Sequence, residues 1–181
     1  MSLTLLIGGA RSGKSALAVE LGRRHERNGG AVTFVATAPV TDADMEHRIE
    51  RHRAERPSTW RTIEEQHDLA GTVARIPDPE LVIVDCLTLW TSNMMWIDAA
   101  EDEIMRRVHD LVAACTGREG RVVVITNEVG LGVHPEHELG RRYRDLLGRV
   151  NTTVAVSADP ALLLVAGRAV ELSDPWQTLD R

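Results

Sequence analysis

The chain has 181 residues, of which 43% are hydrophobic and 27% charged, and its formal net charge is −6. This acidic balance argues against sequence-independent nucleic-acid binding, which needs a basic surface. The N-terminus has no basic flank and no 18 consecutive residues are apolar, so we expect neither a signal peptide nor a membrane span. Cys86 and Cys115 are the only cysteines, which excludes a cysteine zinc knuckle and a disulfide scaffold. We therefore expect a cytoplasmic protein with one domain, residues 1–181.

Apolar runs alternate with helical patterns along the chain. The runs are near-continuous, as in strands buried on both faces, and predict strands at Leu3–Ile7, Ala31–Thr37, Leu81–Leu87, Arg121–Thr126 and Ala161–Val165. The predicted helices are Lys14–Asn28, Asp42–Glu55, Gln66–Arg75, Glu101–Thr116 and Glu136–Ala155. A short strand at Arg61–Glu64 and an edge strand at Val170–Leu172 complete the pattern. This order predicts a three-layer α/β fold with a mainly parallel sheet between helices.

The first strand and the first helix are joined by "GGARSGKS", which matches G-x-x-x-x-G-K-[ST] at Gly8, Gly9, Ala10, Arg11, Ser12, Gly13, Lys14 and Ser15. The glycines let backbone N–H groups wrap a phosphate chain, and the helix start adds the positive end of its dipole. Lys14 is the only lysine in the chain, and its compact ammonium can reach the β- and γ-phosphates. Ser15 would supply a hydroxyl to Mg²⁺. The motif predicts a nucleotide site in a P-loop NTPase-type fold.

A P-loop needs a second acidic residue on the metal side, at the end of another buried strand. The run "LVIVD" has this form and places Asp85 where the strand turns polar. The alternative is that Asp85 caps the following helix, a task that Thr88 could also perform. Asp85 is therefore our candidate second Mg²⁺ ligand.

The segment "DADMEHRIERHRAERP", residues 42–57, places Met45, Ile49 and His52 on one face of a helix. Four arginines surround this histidine, namely Arg48, Arg51, Arg53 and Arg56. Their positive charge disfavours a protonated imidazole and suits a neutral one that meets phosphate. From these residues alone, His52 is either a packed structural histidine or a functional one. His47 lies on another helical face and is expected to be solvated.

The P-loop and four later segments, "RIERHRAERPSTWRTIEE", "VDCLTLWTSN", "TNEVGLGVHPE" and "RRYRDLLGRVN", resemble the adenosylcobinamide kinase/adenosylcobinamide-phosphate guanylyltransferase family of cobalamin synthesis. The resemblance runs in order from about residue 3 to residue 157, and the tail "ELSDPWQTLDR" continues past the family's usual end. It implies two reactions. One phosphorylates the aminopropanol hydroxyl of adenosylcobinamide with ATP or GTP, and the other transfers GMP from GTP to that phosphate and releases pyrophosphate.

The resemblance also assigns roles to residues of this chain. It implies that His52 is the nucleophile that carries GMP, which splits one difficult transfer into two easier ones. Beyond the P-loop, it implies nucleotide contacts at Thr37, Ala38, Arg53, Ala54, Glu55, Arg56, Glu64 and Asp85. The carboxylate of Glu64 could accept both N1–H and the exocyclic amine of guanine, although Glu64 could equally be an exposed charge at a strand end. A homotrimer is implied by the resemblance only.

The segment "ITNEVGLGVHPE" follows a buried strand, and its glycines permit a tight loop. We expect this loop to border the substrate with Glu128 directed toward the site, unless it is a plain connection. Three hypotheses for function follow from the sequence. The favoured one is the bifunctional enzyme; the others are a single-function P-loop small-molecule kinase with a structural His52, and a non-catalytic nucleotide-binding regulator.

Overall fold

The computed structural model describes residues 3–39 and 43–179, and in this part of the chain seven strands form one sheet. The strands are β1 (Leu3–Gly8), β2 (Val32–Ala36), β3 (Arg61–Glu64), β4 (Leu81–Asp85), β5 (Val122–Asn127), β6 (Ala161–Val165) and β7 (Arg168–Glu171). The helices are α1 (Lys14–Arg27), α2 (Ala43–Ala54), α3 (Leu69–Arg75), α4 (Leu87–Trp96), α5 (Glu101–Thr116), α6 (Glu138–Ser157) and α7 (Pro175–Leu179).

The strand order across the sheet is β3-β2-β4-β5-β1-β6-β7, and every neighbouring pair is parallel apart from the antiparallel hairpin β6–β7. Parallel strands end at the same edge of a sheet, so the carboxyl ends of β1 to β5 meet there. Gly8, Ala36, Glu64, Asp85 and Asn127 are the last residues of these strands. Open α/β sheets bind their ligands in the crevice beyond this edge.

Two hydrophobic cores lie on opposite faces of the sheet. One packs β1, β2, β4 and β5 against α3, α4, α5 and α6, with Trp90 and Met94 among its fully buried side chains. The other packs the opposite strand faces against α1 and includes Phe34 and Trp60. The alternation is visible in β1, where Leu5 faces the first core and Leu6 the second. The predicted three-layer α/β fold is confirmed.

The sequence prediction was wrong at the end of the fourth strand. The strand was expected to run to Leu87, but β4 ends at Asp85, and α4, which was not among the predicted helices, begins at Leu87. This helix is buried around most of its circumference, through Leu87, Thr88, Trp90, Thr91, Asn93 and Met94. Because α4 has no polar face, its sequence shows no amphipathic periodicity, and the pattern gives no boundary between this helix and the apolar strand before it.

Other boundaries differ by a few residues. The helix expected from Gln66 begins at Leu69, because the Asp68 side chain accepts a hydrogen bond from the backbone N–H of Gly71 and caps it there. The helix expected over Asp42–Glu55 is described from Ala43, and Asp42 lies outside the described residues. The predicted edge strand is β7, displaced toward the N-terminus.

In the described ranges no helix is both long and apolar enough to cross a bilayer.

Candidate active site

The P-loop lies between β1 and α1, where the β6–β7 hairpin packs against its backbone. Gly13 has φ = 102°, a conformation that glycine adopts without strain. The backbone N–H of Gly167, in the hairpin turn, donates to the carbonyl of Ser12 at 2.9 Å. A Cβ atom at Gly8 would lie 2.3 Å from the carbonyl oxygen of Leu164. The loop therefore rests against the β6–β7 hairpin at both of its motif glycines, Gly8 against β6 and Gly13 against the turn at Gly167. Its middle residues, Gly9, Ala10 and Arg11, are exposed.

Lys14 folds back over the loop that precedes it. Its Nζ donates to the carbonyls of Gly8 and Gly9 at 2.8 and 2.7 Å and contacts the Oγ of Ser12 at 3.3 Å. Burial lowers the pKa of Lys14, while the nearby Cys86 and Asp85 act in the opposite direction. The ammonium is thus held at the centre of the loop, from which it can reach a phosphate chain.

Ser15 and Asp85 meet at the carboxyl ends of β1 and β4. The Ser15 hydroxyl donates to Oδ2 of Asp85 at 3.2 Å. Burial raises the pKa of Asp85, while the nearby His52, the hydrogen bond from Ser15 and the charges of Arg56 and Lys14 act in the opposite direction. Asp85 therefore lies within the electrostatic reach of both the P-loop and the α2 histidine.

These two oxygen ligands fit Mg²⁺, which binds to one or two protein groups together with substrate phosphates and water. No cluster of three His, Cys, Asp or Glu side chains is present among the residues that the structure describes. The described residues therefore offer no site at which protein side chains alone would coordinate a metal. A hydroxyl and a carboxylate beside a P-loop suit a cation that arrives with a nucleotide.

His52 lies in the last turn of α2 and is half-buried. Its carbonyl accepts a hydrogen bond from Nε of Arg56 at 2.9 Å. His47, on the same helix, is exposed, as expected for a histidine on another face. Arg51 is exposed, and the side chain of Arg48 lies outside the described residues.

Arg56 is more enclosed than Arg51 and Arg53. Its guanidinium lies 3.9 Å from the centroid of the Phe34 ring. Burial lowers its pKa, and the largest opposing influence is the negative charge of Asp85. Its Nη1 is buried and has no hydrogen-bond partner among the described residues. A buried donor without a partner is costly, and an anionic ligand in the crevice would satisfy it.

Arg53 and Glu64 form an exposed ion pair, with Nη2 of Arg53 2.6 Å from Oε1 of Glu64. Glu64 ends β3, as predicted, and its carboxylate is already engaged. Ala54 and Glu55 follow at the end of α2 and are exposed.

Thr37 lies just beyond β2 and is completely buried. Its hydroxyl donates to the carbonyl of Cys86 at 2.8 Å and accepts from the N–H of Cys86 at 2.7 Å. Its own carbonyl accepts from Nδ2 of Asn93 at 2.8 Å. These hydrogen bonds link the ends of β2 and β4, and Thr37 therefore has a structural role beneath the crevice. Ala38 is half-buried beside it, and a nucleotide contact at either residue stays a prediction.

The loop after β5 approaches the P-loop through its backbone. The N–H of Glu128 donates to the carbonyl of Gly8 at 3.1 Å. Its carboxylate, which was expected to point toward the site, instead accepts the N–H of Gly130 within its own loop. The loop therefore borders the crevice, while the Glu128 carboxylate stabilises the turn within its own loop.

Buried polar residues behind the strand ends were missed from the sequence. Thr88 accepts the N–H of Asn127 at 2.8 Å, and the Tyr143 hydroxyl donates to the carbonyl of Thr88 at 3.1 Å. Asn151 accepts the Thr126 hydroxyl and donates to the carbonyl of Asn127. Thr88 was considered only as a helix cap, and Asn151 lies inside a predicted helix without a periodic signal, so only the packing of α4 and α6 reveals these contacts.

Comparison with known proteins agrees with this geometry. Residues 4–172 match the family model for cobinamide kinase/cobinamide phosphate guanyltransferase. The bifunctional adenosylcobalamin biosynthesis protein CobP of Pseudomonas aeruginosa is 39% identical over 170 residues, covering 93% of this chain and 95% of that protein. CobU of Escherichia coli, of the same description, is 36% identical over 183 residues, covering 94% and 99%.

Among solved structures, the flagellar accessory protein FlaH from Methanocaldococcus jannaschii superposes with a TM-score of 0.59 at 17% identity, covering 95% of this chain and 78% of that one. This similarity concerns the fold alone, a mainly parallel sheet between two layers of helices. The family match extends over nearly the whole length and includes the P-loop, the α2 segment and the loop after β5. The chain belongs to the cobinamide kinase/cobinamide phosphate guanyltransferase family.

Proposed function

We propose that this protein is a bifunctional transferase of cobalamin synthesis. It phosphorylates the aminopropanol hydroxyl of adenosylcobinamide with ATP or GTP, and then transfers GMP from GTP to give adenosylcobinamide-GDP and pyrophosphate. The observation that carries the proposal is that the P-loop and the end of α2 are both joined to the carboxyl edge of the sheet, through the Ser15–Asp85 hydrogen bond and the Arg53–Glu64 ion pair. These contacts support a phosphate site with the α2 histidine beside it.

The kinase step uses the P-loop. Its backbone N–H groups and Lys14 would hold the β- and γ-phosphates, and the lysine would exchange the carbonyls of Gly8 and Gly9 for phosphate oxygens. Ser15 and Asp85 are the residues that would hold Mg²⁺, which supplies positive charge to the phosphates when bound. The substrate hydroxyl oxygen attacks the γ-phosphorus, the P–O bond to the β-phosphate breaks so that the nucleoside diphosphate leaves, and the hydroxyl proton is released to solvent.

The guanylyl step uses His52. A neutral imidazole nitrogen attacks the α-phosphorus of GTP, so a P–N bond forms and the P–O bond to the β-phosphate breaks, releasing pyrophosphate. A phosphate oxygen of adenosylcobinamide phosphate then attacks the same phosphorus, and the P–N bond breaks. Arg56 is the candidate for stabilising the developing charge, since its buried Nη1 has an unused hydrogen-bonding position.

Base selection is assigned to Glu64. Guanine presents two adjacent donors that one carboxylate can accept, whereas adenine does not present this pair. Binding of guanine in this way would replace the bond from Arg53 to Glu64 and free the Arg53 guanidinium for phosphate.

A kinase with a merely structural His52 is not favoured, because relatives that match 93% and 94% of the chain are described as bifunctional. On the resemblance alone we propose a homotrimer, and on the composition and cysteine count a cytoplasmic location.

Product analysis tests the proposal. The purified protein is incubated with Mg²⁺, ATP and adenosylcobinamide, then with GTP, and the corrinoids are separated. We expect the phosphate first and the GDP derivative second. Lys14→Ala should lower both rates by about 10²-fold or more at saturating nucleotide, because a positioned phosphate ligand is lost. Arg24→Ala is the matched control, since Arg24 is exposed on α1 and pairs with Glu20. Near-normal turnover by Lys14→Ala, or no corrinoid product from wild type, would contradict the proposal.

A further inference from the structure

The chain between α2 and β3, residues 55–60, packs along α1. Nη2 of Arg23 donates to the backbone carbonyl of Glu55 at 3.1 Å. The hydroxyl of Thr59 donates to Oε1 of Glu26 at 2.5 Å. Trp60 is buried in the core on this side of the sheet. We call residues 55–60 the α2–β3 connector.

Gly22 lies on α1 where the helix backbone meets Trp60 of the connector. A Cβ atom at Gly22 would lie 2.3 Å from Cη2 and 2.7 Å from Cζ2 of the Trp60 indole. The absence of a side chain on α1 therefore allows the indole to lie directly on the helix backbone. Together with the Arg23 and Glu26 contacts, this gives one continuous seam along the last two turns of α1.

The seam connects the two halves of the candidate site. α1 begins at Lys14, directly after the phosphate loop, and Arg23 lies roughly 14 Å further along the same helix. α2 ends at Ala54, only two residues after His52. The carbonyls of a last helical turn have no partners within the helix. Here the backbone carbonyl of His52 accepts a hydrogen bond from the Arg56 side chain. The backbone carbonyl of Glu55, just past the helix, accepts one from the Arg23 side chain.

We infer that Arg23 is a positioning residue for guanylyl transfer, which sets the place of His52 relative to the phosphate loop from the outer side of α1. The inference rests on the proposed function, in which His52 attacks the α-phosphorus while the P-loop holds the rest of the triphosphate. Such an attack needs the imidazole nitrogen close to phosphorus and in line with the leaving oxygen. Arg23 acts through its hydrogen bond to the Glu55 carbonyl.

The first test compares Arg23→Ala with Arg23→Lys and with the control Arg24→Ala. GTP carrying label in its α-phosphate is mixed with each variant, and the rate of label transfer to protein is measured at saturating GTP. We expect about 3- to 10-fold slower labelling in Arg23→Ala, the equivalent of one lost hydrogen bond. Arg23→Lys should recover part of the rate, because an ammonium can also donate to the carbonyl.

The readout that separates positioning from general destabilisation is the kinase rate of the same samples. That step does not use His52, so Arg23→Ala should keep its phosphorylation of adenosylcobinamide within about twofold, well inside the effect of one positioned contact. The thermal midpoint and the KM for GTP should also stay close to the Arg24→Ala values. Equal loss of both activities, or labelling at the Arg24→Ala rate, would overturn the inference.

A second pair of variants tests the seam through its packing. Gly22→Ala drives a methyl group into the Trp60 ring, and a shift of about 1 Å in the connector should slow labelling by about 10²-fold. Trp60→Phe removes the indole atoms that the methyl group would meet. The double variant Gly22→Ala/Trp60→Phe should therefore label faster than Gly22→Ala alone. If the double variant is no faster, the seam does not position His52.

Failure of this inference differs from failure of the proposed function. If wild type takes up no α-label, the proposed function is wrong and the inference falls with it. If wild type takes up label and Arg23→Ala does so at the same rate, only the inference is wrong.

Discussion

Replacement of Gly8 by alanine tests whether the P-loop is held in shape by the strand beside it. The new Cβ would lie 2.3 Å from the backbone oxygen of Leu164, which β6 holds in the sheet. Ordinary contact requires a displacement of about 1 Å, and a misplacement of that size near reacting groups costs about 10²-fold in rate. The carbonyl of Gly8 also accepts from Lys14 and Glu128, so these contacts move with it.

The cost in stability should be smaller than the cost in activity. Overpacking of this kind costs about 1–3 kcal/mol, and a domain of this kind has about 5–15 kcal/mol to lose, so Gly8→Ala should still fold. The assay is kcat/KM for phosphorylation of adenosylcobinamide, combined with denaturant unfolding. Gly148→Ala is the control, since Gly148 is exposed on α6 and a Cβ there would meet nothing within 4 Å. Wild-type kcat/KM in Gly8→Ala, or an equal loss in Gly148→Ala, would refute the reasoning.

Three further variants probe other parts of the account. Arg118 is buried and donates to backbone carbonyls at Val73, Ile76, Pro77 and Glu80, so Arg118→Ala should lose about 2–4 kcal/mol in denaturant unfolding with unchanged activity per folded molecule; a change under about 0.5 kcal/mol would contradict this. Burial raises the pKa of Asp85, so ionisation of this carboxyl destabilises the folded protein. Its contribution to the free energy of unfolding becomes less favourable as the pH rises from the pKa in the unfolded state to the pKa in the folded state. Asp85→Asn removes a candidate Mg²⁺ ligand and should abolish activity. Because it also removes the cost of burying the charge, its melting temperature should be higher than that of wild type at neutral pH, and the difference should vanish in acid. A lower melting temperature of the variant at neutral pH would count against this reasoning. Glu64→Gln should weaken GTP use in guanylyl transfer by about tenfold or more while sparing ATP as phosphate donor, and equal losses with both nucleotides would remove the base-reading role.

The parts of the fold that the sequence predicted are those with a periodic or local signal. The buried strands show as continuous apolar runs, and the P-loop shows because its glycines, Lys14 and Ser15 follow one another in the chain. α4 could not be found in this way. Its burial on most sides comes from β5 and α6, which lie far away in sequence, so nothing local separates it from the end of β4.

The residues of the candidate site fall into the same two groups, those with a local sequence signal and those without one. Asp85 was predicted from its place at a strand end, and its hydrogen bond to Ser15 joins positions 70 residues apart. The assignment of His52 needed the family resemblance, because the arginines around it fit a structural histidine equally well. The burial of Thr37, the turn made by Glu128 and the seam at Gly22 depend on which atoms meet in three dimensions. A single sequence holds no direct record of those meetings.

The central claim, that one crevice serves both a kinase and a histidine-based guanylyl transfer, is tested most directly by covalent labelling. Wild type, His52→Asn and His47→Asn are incubated with GTP labelled in the α-phosphate, denatured, and treated with alkali or mild acid. A phosphorus–nitrogen bond survives alkali and breaks in acid. We predict alkali-stable, acid-labile label on wild type and His47→Asn and none on His52→Asn, which should still phosphorylate adenosylcobinamide. Stable label on His52→Asn, or none on wild type, would contradict the account.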